Sequence, residues 1–211
     1  MNHENHIGII GNGGQADEAH AYTKKEVGFR AVNSEYLNND STHNLVDIEK
    51  PGADNIDTPV HIAIGAPALR RELEEKWPGQ KYETIISEHA IVDKSANIGE
   101  GALIAPRAVI TTNVKLGRHV IVNVAATVQH DTTVGDFSTI GPGVNIGGNV
   151  EIGDGVFIGI GANISNSIKI ADGVVIGAGA TLITNADVEN GVYVGVPAKL
   201  MKQNEEWLRE I

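Results

Sequence analysis

The stretch EIGDGVFIGIGANISNSIKIADGVVIGAGA, residues 151–180, places isoleucine at every sixth position: Ile152, Ile158, Ile164, Ile170 and Ile176. Stepping back by six from Ile152 gives Ile146, Ile140, Val134, Val128, Val122, Leu116, Ile110, Ile104, Ile98, Val92 and Ile86. Stepping forward from Ile176 gives Leu182, Val188, Val194 and Leu200. Four residues after most of these comes a small or β-branched residue, among them Ala96, Ala102, Ala108, Val114, Val144, Val150, Val156 and Ala162. A period of six is neither the 2 of a plain strand nor the 3.6 of an amphipathic helix. It fits a short strand followed by a tight corner, repeated three times per turn, so that eighteen residues make one triangular coil. This is the parallel β-helix signature of hexapeptide repeats. Glycines fall where corners need unusual backbone angles, as at Gly141, Gly143, Gly153 and Gly155. Residues 86–200 are therefore expected to form a little over six coils with no long insertion.

Composition suits stacked layers. Of 211 residues, 41% are hydrophobic but only 4% aromatic, so the core must be built from Ile, Val, Leu and Ala. The net charge is −11 and no Lys/Arg cluster is present, which argues against a nucleic-acid partner. With no cysteine, disulfides, thiolate metal sites and a cysteine nucleophile are excluded. The first residues carry neither a basic n-region nor a long apolar run, so no signal peptide or membrane span is expected, and the location expected is cytoplasmic. His3 and His6 lack companion ligands and read as a solvated tail, so no metal is expected.

Residues 1–85 follow another logic. IGIIG (Ile7–Gly11) reads as a buried strand, and GNGGQA (Gly11–Ala16) as a G-x-G-x-x-A turn. A helix is expected over Gln15–Val27, then strands at Phe29–Asn33 and Val60–Gly65, and a helix over Pro67–Trp77. Tyr82–Ile86 leads into the prism. Residues 38–58 are polar and are expected to form an irregular loop or to contain one short strand. Strand, glycine turn and helix in that order can present backbone N–H groups to a phosphate. About eighty residues hold one mononucleotide-sized half-fold, so a nucleotide-linked small molecule fits better than NAD. Residues 201–211 are expected to be a helical tail.

A small Rossmann-like α/β domain before an uninterrupted hexad prism resembles the bacterial hexapeptide-repeat sugar acetyltransferases. That group includes nucleotide 4-amino-sugar N-acetyltransferases and sialic acid O-acetyltransferases. The matching residues are GNGG (Gly11–Gly14), IAIG (Ile62–Gly65) with Arg70 beyond it, TVQHDTTVGDFS (Thr127–Ser138), GGNVEIGDGVFIG (Gly147–Gly159) and GVYVGVPAK (Gly191–Lys199). The resemblance implies a left-handed parallel β-helix, a homotrimer, and acetyl-CoA lying in the groove between neighbouring prisms. It implies His130 as the catalytic base, Asp131 as its acidic companion, and the Gly148 N–H facing the thioester carbonyl. Ile160 and Ala178 would lie along the pantetheine arm, Lys199 near the nucleotide end of CoA, and Asn123 near the acceptor sugar. Gly11, Asn12, Gly13, Gly14, Asn33, Ser34 and Gly65 would hold the nucleotide-activated sugar.

The chemistry agrees. An amine attacking a thioester must lose a proton, which a neutral imidazole can accept, and a carboxylate can fix that imidazole's tautomer. The orienting carboxylate could also come from Asp136 or Glu151, and His119 is a competing base. His89 and His61 read as structural or exposed. Three departures from the family pattern stand out. Thr139 occupies the place of a second active-site histidine found in some members, Gln15-Ala16 replaces a histidine-glycine pair, and VNSE (Val32–Glu35) replaces a ribose-binding aspartate. UDP and TDP, N- and O-acetylation, and a non-catalytic trimeric binding protein thus stay open.

Overall fold

The computed structural model describes residues 5–38 and 43–210; His3 and residues 39–42 of the polar segment lie outside them. The first unit is a parallel sheet of β1 (His6–Ile10), β2 (Glu26–Val32), β3 (Leu45–Asp47) and β4 (Val60–Ile62), in the order β3-β2-β1-β4. The run Ile7–Ile10 is buried along its whole length, as expected of a parallel strand covered on both faces. Helix α1 (Gly14–Tyr22) follows the glycine turn, α2 (Ala53–Ile56) is a single turn, and α3 (Pro67–Lys76) carries proline in its first turn. The helix expected to reach Val27 stops at Tyr22. Residues from Glu26 onward are taken by β2, whose register with β1 runs from His6↔Glu26 to Ile10↔Ala31.

The second unit is the left-handed β-helix. Two-residue strands recur every six residues from Ile85–Ile86 to Thr181–Leu182 and stack into three parallel sheets. Each strand pairs with those eighteen residues away, as in Lys115↔Thr133 and Thr133↔Glu151. The hexad side chains and the small residues four positions later fill one continuous core from Ile104 to Leu182. The sheets define face one (strands at Ile85, Leu103, Ile121, Thr139, Phe157 and Val175), face two (Ile91, Val109, Thr127, Asn145, Asn163 and Thr181) and face three (Asn97, Lys115, Thr133, Glu151 and Lys169). Asn113, Asp131, Asn149 and Ser167 occupy one corner column in left-handed backbone conformation, at φ between 56° and 60°, a region Asn and Asp tolerate best among non-glycine residues.

The hexad slips at its end. Beyond Leu182, Ala186 bridges to Ile170 and Tyr193 pairs with Ile176, so Ala186, Tyr193 and Ala198 fill the core. Val188 and Val194 are only half-buried and Leu200 is exposed. The tail also departs from expectation. Lys199–Gln203 is a strand antiparallel to Gly191–Val194, closing the last coil as a hairpin, and no helix follows it among the described residues. The chain then turns back: Trp207 lies against Gly155 and Gly173, where a β-carbon would come within 2.1 and 2.5 Å of its ring. The Arg71 guanidinium sits 4.3 Å above the same ring, and the Leu208 carbonyl accepts from the Ala68 N–H at 3.2 Å.

The sheet unit docks on the early coils of face one. Ile85, Leu103 and Ile121 pack against Ile7, Ile9, Ala16, Ala19 and Ala63 in one buried apolar cluster. Beside it lies a buried polar junction. Arg70, fully buried, donates through Nε to the His119 carbonyl at 3.0 Å and through Nη1 to the Ile64 and Gly65 carbonyls. Its Nη2 donates to the Phe137 carbonyl and, at 2.9 Å, to Thr139 Oγ1. These acceptors are all neutral. Burial lowers the Arg70 pKa to about 9, so the guanidinium is still charged at pH 7.

Two buried imidazoles share the junction. His61 lies 3.2 Å from the Glu83 carbonyl through Nδ1, and His119 lies 3.2 Å from Glu74 through Nε2. His119 also packs against the rings of Tyr82 and Phe137. Burial pushes both imidazoles down to about 4, and both are neutral at pH 7. Because their folded pKa values lie below the unfolded value of about 6.5, the unfolded chain binds more protons between those limits. Stability is fully present above pH 6.5 and is lost as pH falls towards 4. The melting temperature should drop steeply between pH 6.5 and 4.5, more so than in a His61→Gln, His119→Gln double variant. A parallel fall in both proteins would refute the assignment to these two groups.

Candidate active site

His130 and Asp131 stand at the corner between faces two and three. His130 Nδ1 lies 2.9 Å from Asp131 Oδ2, and both side chains are about half exposed. With Nδ1 facing a carboxylate, the proton belongs on Nδ1 and the Nε2 lone pair is free to accept another. Asp131 Oδ1 accepts from Asn113 Nδ2 at 3.0 Å. That bond first, and the one from His130 second, hold the Asp131 carboxyl below the usual carboxylate range, so it stays ionised. Asn113 escapes a reading of neighbouring residues because it stands eighteen positions upstream, one coil away in the same corner column. The coil period itself points to it.

The other candidates for these roles are committed elsewhere. Asp136 pairs with Arg118 at 3.2 Å, and Glu151 pairs with Lys169 at 2.8 Å. His119 is buried at the domain junction, where no acceptor amine could reach it.

Gly148 lies one coil beyond His130 in the same column. A β-carbon there would come within 2.6 Å of His130 Cε1 and Nε2, so the imidazole rests on the glycine backbone. The Gly148 N–H donates to Asn166 Oδ1 at 3.2 Å. The donor expected to face a thioester carbonyl thus has a partner within the chain, and the missing side chain leaves clearance for the ring. Gly148→Ala should displace the imidazole and lower kcat about a hundredfold while leaving the melting temperature within a few degrees, since a misplacement of about 1 Å costs that much. An unchanged kcat would exclude this role.

The candidate cofactor residues lie across face two from His130, on the corner between faces one and two. Ile160 is 60% exposed, Ala178 is exposed beside it, and Lys199 is exposed on the closing strand. An apolar ridge ending near a lysine suits a pantetheine arm followed by phosphates, so the residues fit acetyl-CoA. Asn123 sits on this same corner, with Oδ1 accepting from the Val124 N–H at 2.7 Å. Among the described residues no group of three or more His, Asp or Glu side chains could hold a metal ion. No helix among them is long and apolar enough to cross a membrane.

The sheet unit carries a cavity of about 410 Å³ at the carboxyl ends of β1, β2 and β4, the position at which open α/β sheets bind ligands. Gly11, Asn12, Asn33, Tyr36 and Ile64 are among its walls. Gly11 takes φ +119°, with the Ala63 carbonyl and Ile64 packed where a side chain would stand. Gly13 and Gly14 face open space at the start of α1, whose N-terminus has no side-chain cap. Ser34 is exposed in an adjoining groove with Glu35 and Lys76. Asn12 Oδ1 accepts from buried Arg30 at 2.9 Å, and Arg30 is also paired with Asp17 at 2.8 Å. The sequence reading missed Arg30, which braces the glycine turn from β2. Gly65 is turned away from the cavity's polar groups, its carbonyl accepting from Thr139 Oγ1 at 2.7 Å and Arg70 Nη1 at 3.0 Å.

Comparison with known proteins agrees with this architecture. The family model of bacterial transferase hexapeptides (six repeats) matches residues 149–184. The acetyltransferase domain of PglB from Neisseria gonorrhoeae FA1090 superposes with a TM-score of 0.83 at 27% identity, over 94% of this chain and 100% of that one. The same domain has been solved in complex with acetyl coenzyme A. WeeI from Acinetobacter baumannii AYE gives a TM-score of 0.80 at 25% identity, over 93% and 100% of the two chains. PerB from Caulobacter crescentus, in complex with CoA and GDP-perosamine, gives 0.76 at 23% identity, over 93% and 97%. No curated sequence matches significantly. The chain resembles the bacterial hexapeptide-repeat sugar acetyltransferases, as its sequence led us to expect, along nearly its whole length.

Proposed function

We propose that this protein is an acetyl-CoA-dependent N-acetyltransferase acting on a nucleotide-linked amino-deoxysugar, and that it works as a homotrimer. The observation that carries the reading is the His130–Asp131 pair, about half exposed at a prism corner with Nδ1 turned to the carboxylate. Acetyl-CoA supplies an activated acyl carbon. His130 Nε2 accepts the proton that the sugar amine loses as its nitrogen bonds to that carbon, and the thiolate of CoA leaves. Asp131, kept ionised by Asn113, holds the imidazole in the required tautomer and stabilises the imidazolium. The proton on Nε2 then passes to the departing thiolate or to solvent, which restores the base.

The trimer has a geometric motive. His130 and the Ile160–Ala178 ridge stand on opposite borders of face two, so neighbouring prisms would complete one groove from both corners. The cavity walled by Gly11, Asn12 and Asn33 would take the nucleotide, UDP or TDP, with its phosphates towards Gly13 and Gly14 at the start of α1.

The test is free-thiol release from acetyl-CoA with UDP-, TDP- and GDP-linked 4-amino-6-deoxysugars, a 3-amino analogue and free sialic acid. Turnover of a nucleotide amino sugar is the expected result. Turnover of sialic acid alone would move the reaction to O-acetylation. Silence with every acceptor, from a folded trimer, would favour a non-catalytic binding protein.

A further inference from the structure

Thr139 and Arg70 form a clamp whose place in the fold suggests more than adhesion. Thr139 is buried on face one, in the same coil as His130, nine residues further along the chain. Its hydroxyl donates to the Gly65 carbonyl at 2.7 Å and accepts from Arg70 Nη2 at 2.9 Å. Arg70 grips both ends of the same joint: Ile64 and Gly65 on the sheet unit, His119 and Phe137 on the prism. Ile64 is a wall of the nucleotide-sized cavity, and its Cδ1 lies 3.1 Å from where a Gly11 side chain would begin. One short path therefore runs from the cavity wall, through Gly65 and Thr139, into the coil that carries His130.

From this juxtaposition we infer that Thr139 is a positioning residue: with Arg70 it fixes the height of the acceptor cavity along the prism axis, level with the His130 coil. The inference rests on the acetyltransferase reading above. If three prisms stand parallel about a threefold axis, every His130 lies at the same height, so a clamp within one protomer sets the level for whichever histidine the acceptor meets. The apolar contacts of Ile85, Leu103 and Ile121 can hold the sheet unit on face one but, being non-directional, do not define its axial position so sharply. Directed hydrogen bonds donated by a buried guanidinium do.

The test is Thr139→Val, which keeps the shape and removes the hydroxyl, with Thr139→Ser restoring it. Wild type and both variants are assayed in parallel with acceptor and acetyl-CoA varied in turn. The expected result is a KM for the nucleotide amino sugar raised about tenfold in Thr139→Val, an unchanged KM for acetyl-CoA, and recovery in Thr139→Ser. A Thr139→Val protein with a lowered melting temperature but wild-type KM for both substrates would reduce Thr139 to a structural role and overturn the inference. An inactive wild type would instead overturn the acetyltransferase reading, and the clamp's functional role with it. The wild-type arm thus separates the two failures.

Discussion

If His130 is the general base, His130→Asn should lower kcat for acetyl transfer by a factor of about 10² to 10⁴, the range associated with loss of such a group, while the KM for acetyl-CoA and the melting temperature should stay close to wild type. Asparagine fills similar space and can still donate to Asp131, but it cannot take a proton from an amine. Thermal stability is spared because the imidazole is about half exposed, its pair with Asp131 lies on the surface, and exposed pairs contribute little. Steady-state thiol release measures the first quantity and a thermal melt the second. Undiminished turnover in His130→Asn would remove His130 from the mechanism and leave the exposed pair as a corner ornament. A collapse of both activity and melting temperature would make the residue structural.

Arg70→Ala has the opposite profile, with the damage falling first on stability. The guanidinium is fully buried and supplies donors to carbonyls at Ile64, Gly65, His119 and Phe137 and to the Thr139 hydroxyl. Its removal leaves several acceptors without partners in a site closed to water, and each such loss costs about 1–3 kcal/mol. Relaxation and water entry recover part of this, so the expected net loss is about 3–5 kcal/mol, at the upper end of single-substitution effects, where broken buried hydrogen-bond networks fall. In a chain of this size that corresponds to a melting temperature lower by roughly 10 °C. Arg70→Lys should recover little, since one ammonium cannot span acceptors on both domains. A melting temperature within 2 °C of wild type in Arg70→Ala would contradict the burial and bonding described for this residue.

Much of this was legible in the residues. The hexads from Ile98 to Leu182 specify their own inward side chains, because a two-residue strand and a fixed corner leave no freedom of register. The reading erred where the repeat ended. Val188, Val194 and Leu200 keep the spacing by residue type, yet the turn after Leu182 shifts the core to Ala186, Tyr193 and Ala198. Pattern alone cannot distinguish an apolar residue in a coil from one in a closing hairpin. The helix assigned as far as Val27 failed for a related reason: β2 pairs with β1 from Glu26, and that tertiary demand overrides a run of helix-forming residues.

The site divides in the same way. His130 and Asp131 are adjacent in the chain, but adjacency left Asp136 and Glu151 open as partners, and only the folded corner brings the His130 and Asp131 side chains within 2.9 Å. Asn113 needed the coil period, and Arg30 and Arg70 needed the packed domain. The partners of Arg70 are mostly backbone carbonyls, which every residue possesses and no motif marks. Gly148 illustrates a further limit. Its N–H was expected to face a thioester carbonyl, but its partner within the chain, Asn166, lies on a coil that had to be folded first.

The path of the tail bears on how the chain is made. A solenoid of this kind gains stability one coil at a time from its nearest neighbour, so each coil can settle soon after it leaves the ribosome. The joint between the units cannot. Arg70 must wait for Phe137 and Thr139, and the Ala68–Leu208 and Glu72–Arg209 contacts wait for the residues beyond the prism, the latter spanning 137 residues. Contacts of such sequence separation are the slow ones to close. The sheet unit, which precedes the prism in the chain, is thus completed after it, and a chain that stops short of Trp207 would keep the residues of every coil yet lack the Ala68–Leu208 and Glu72–Arg209 ties between its two units.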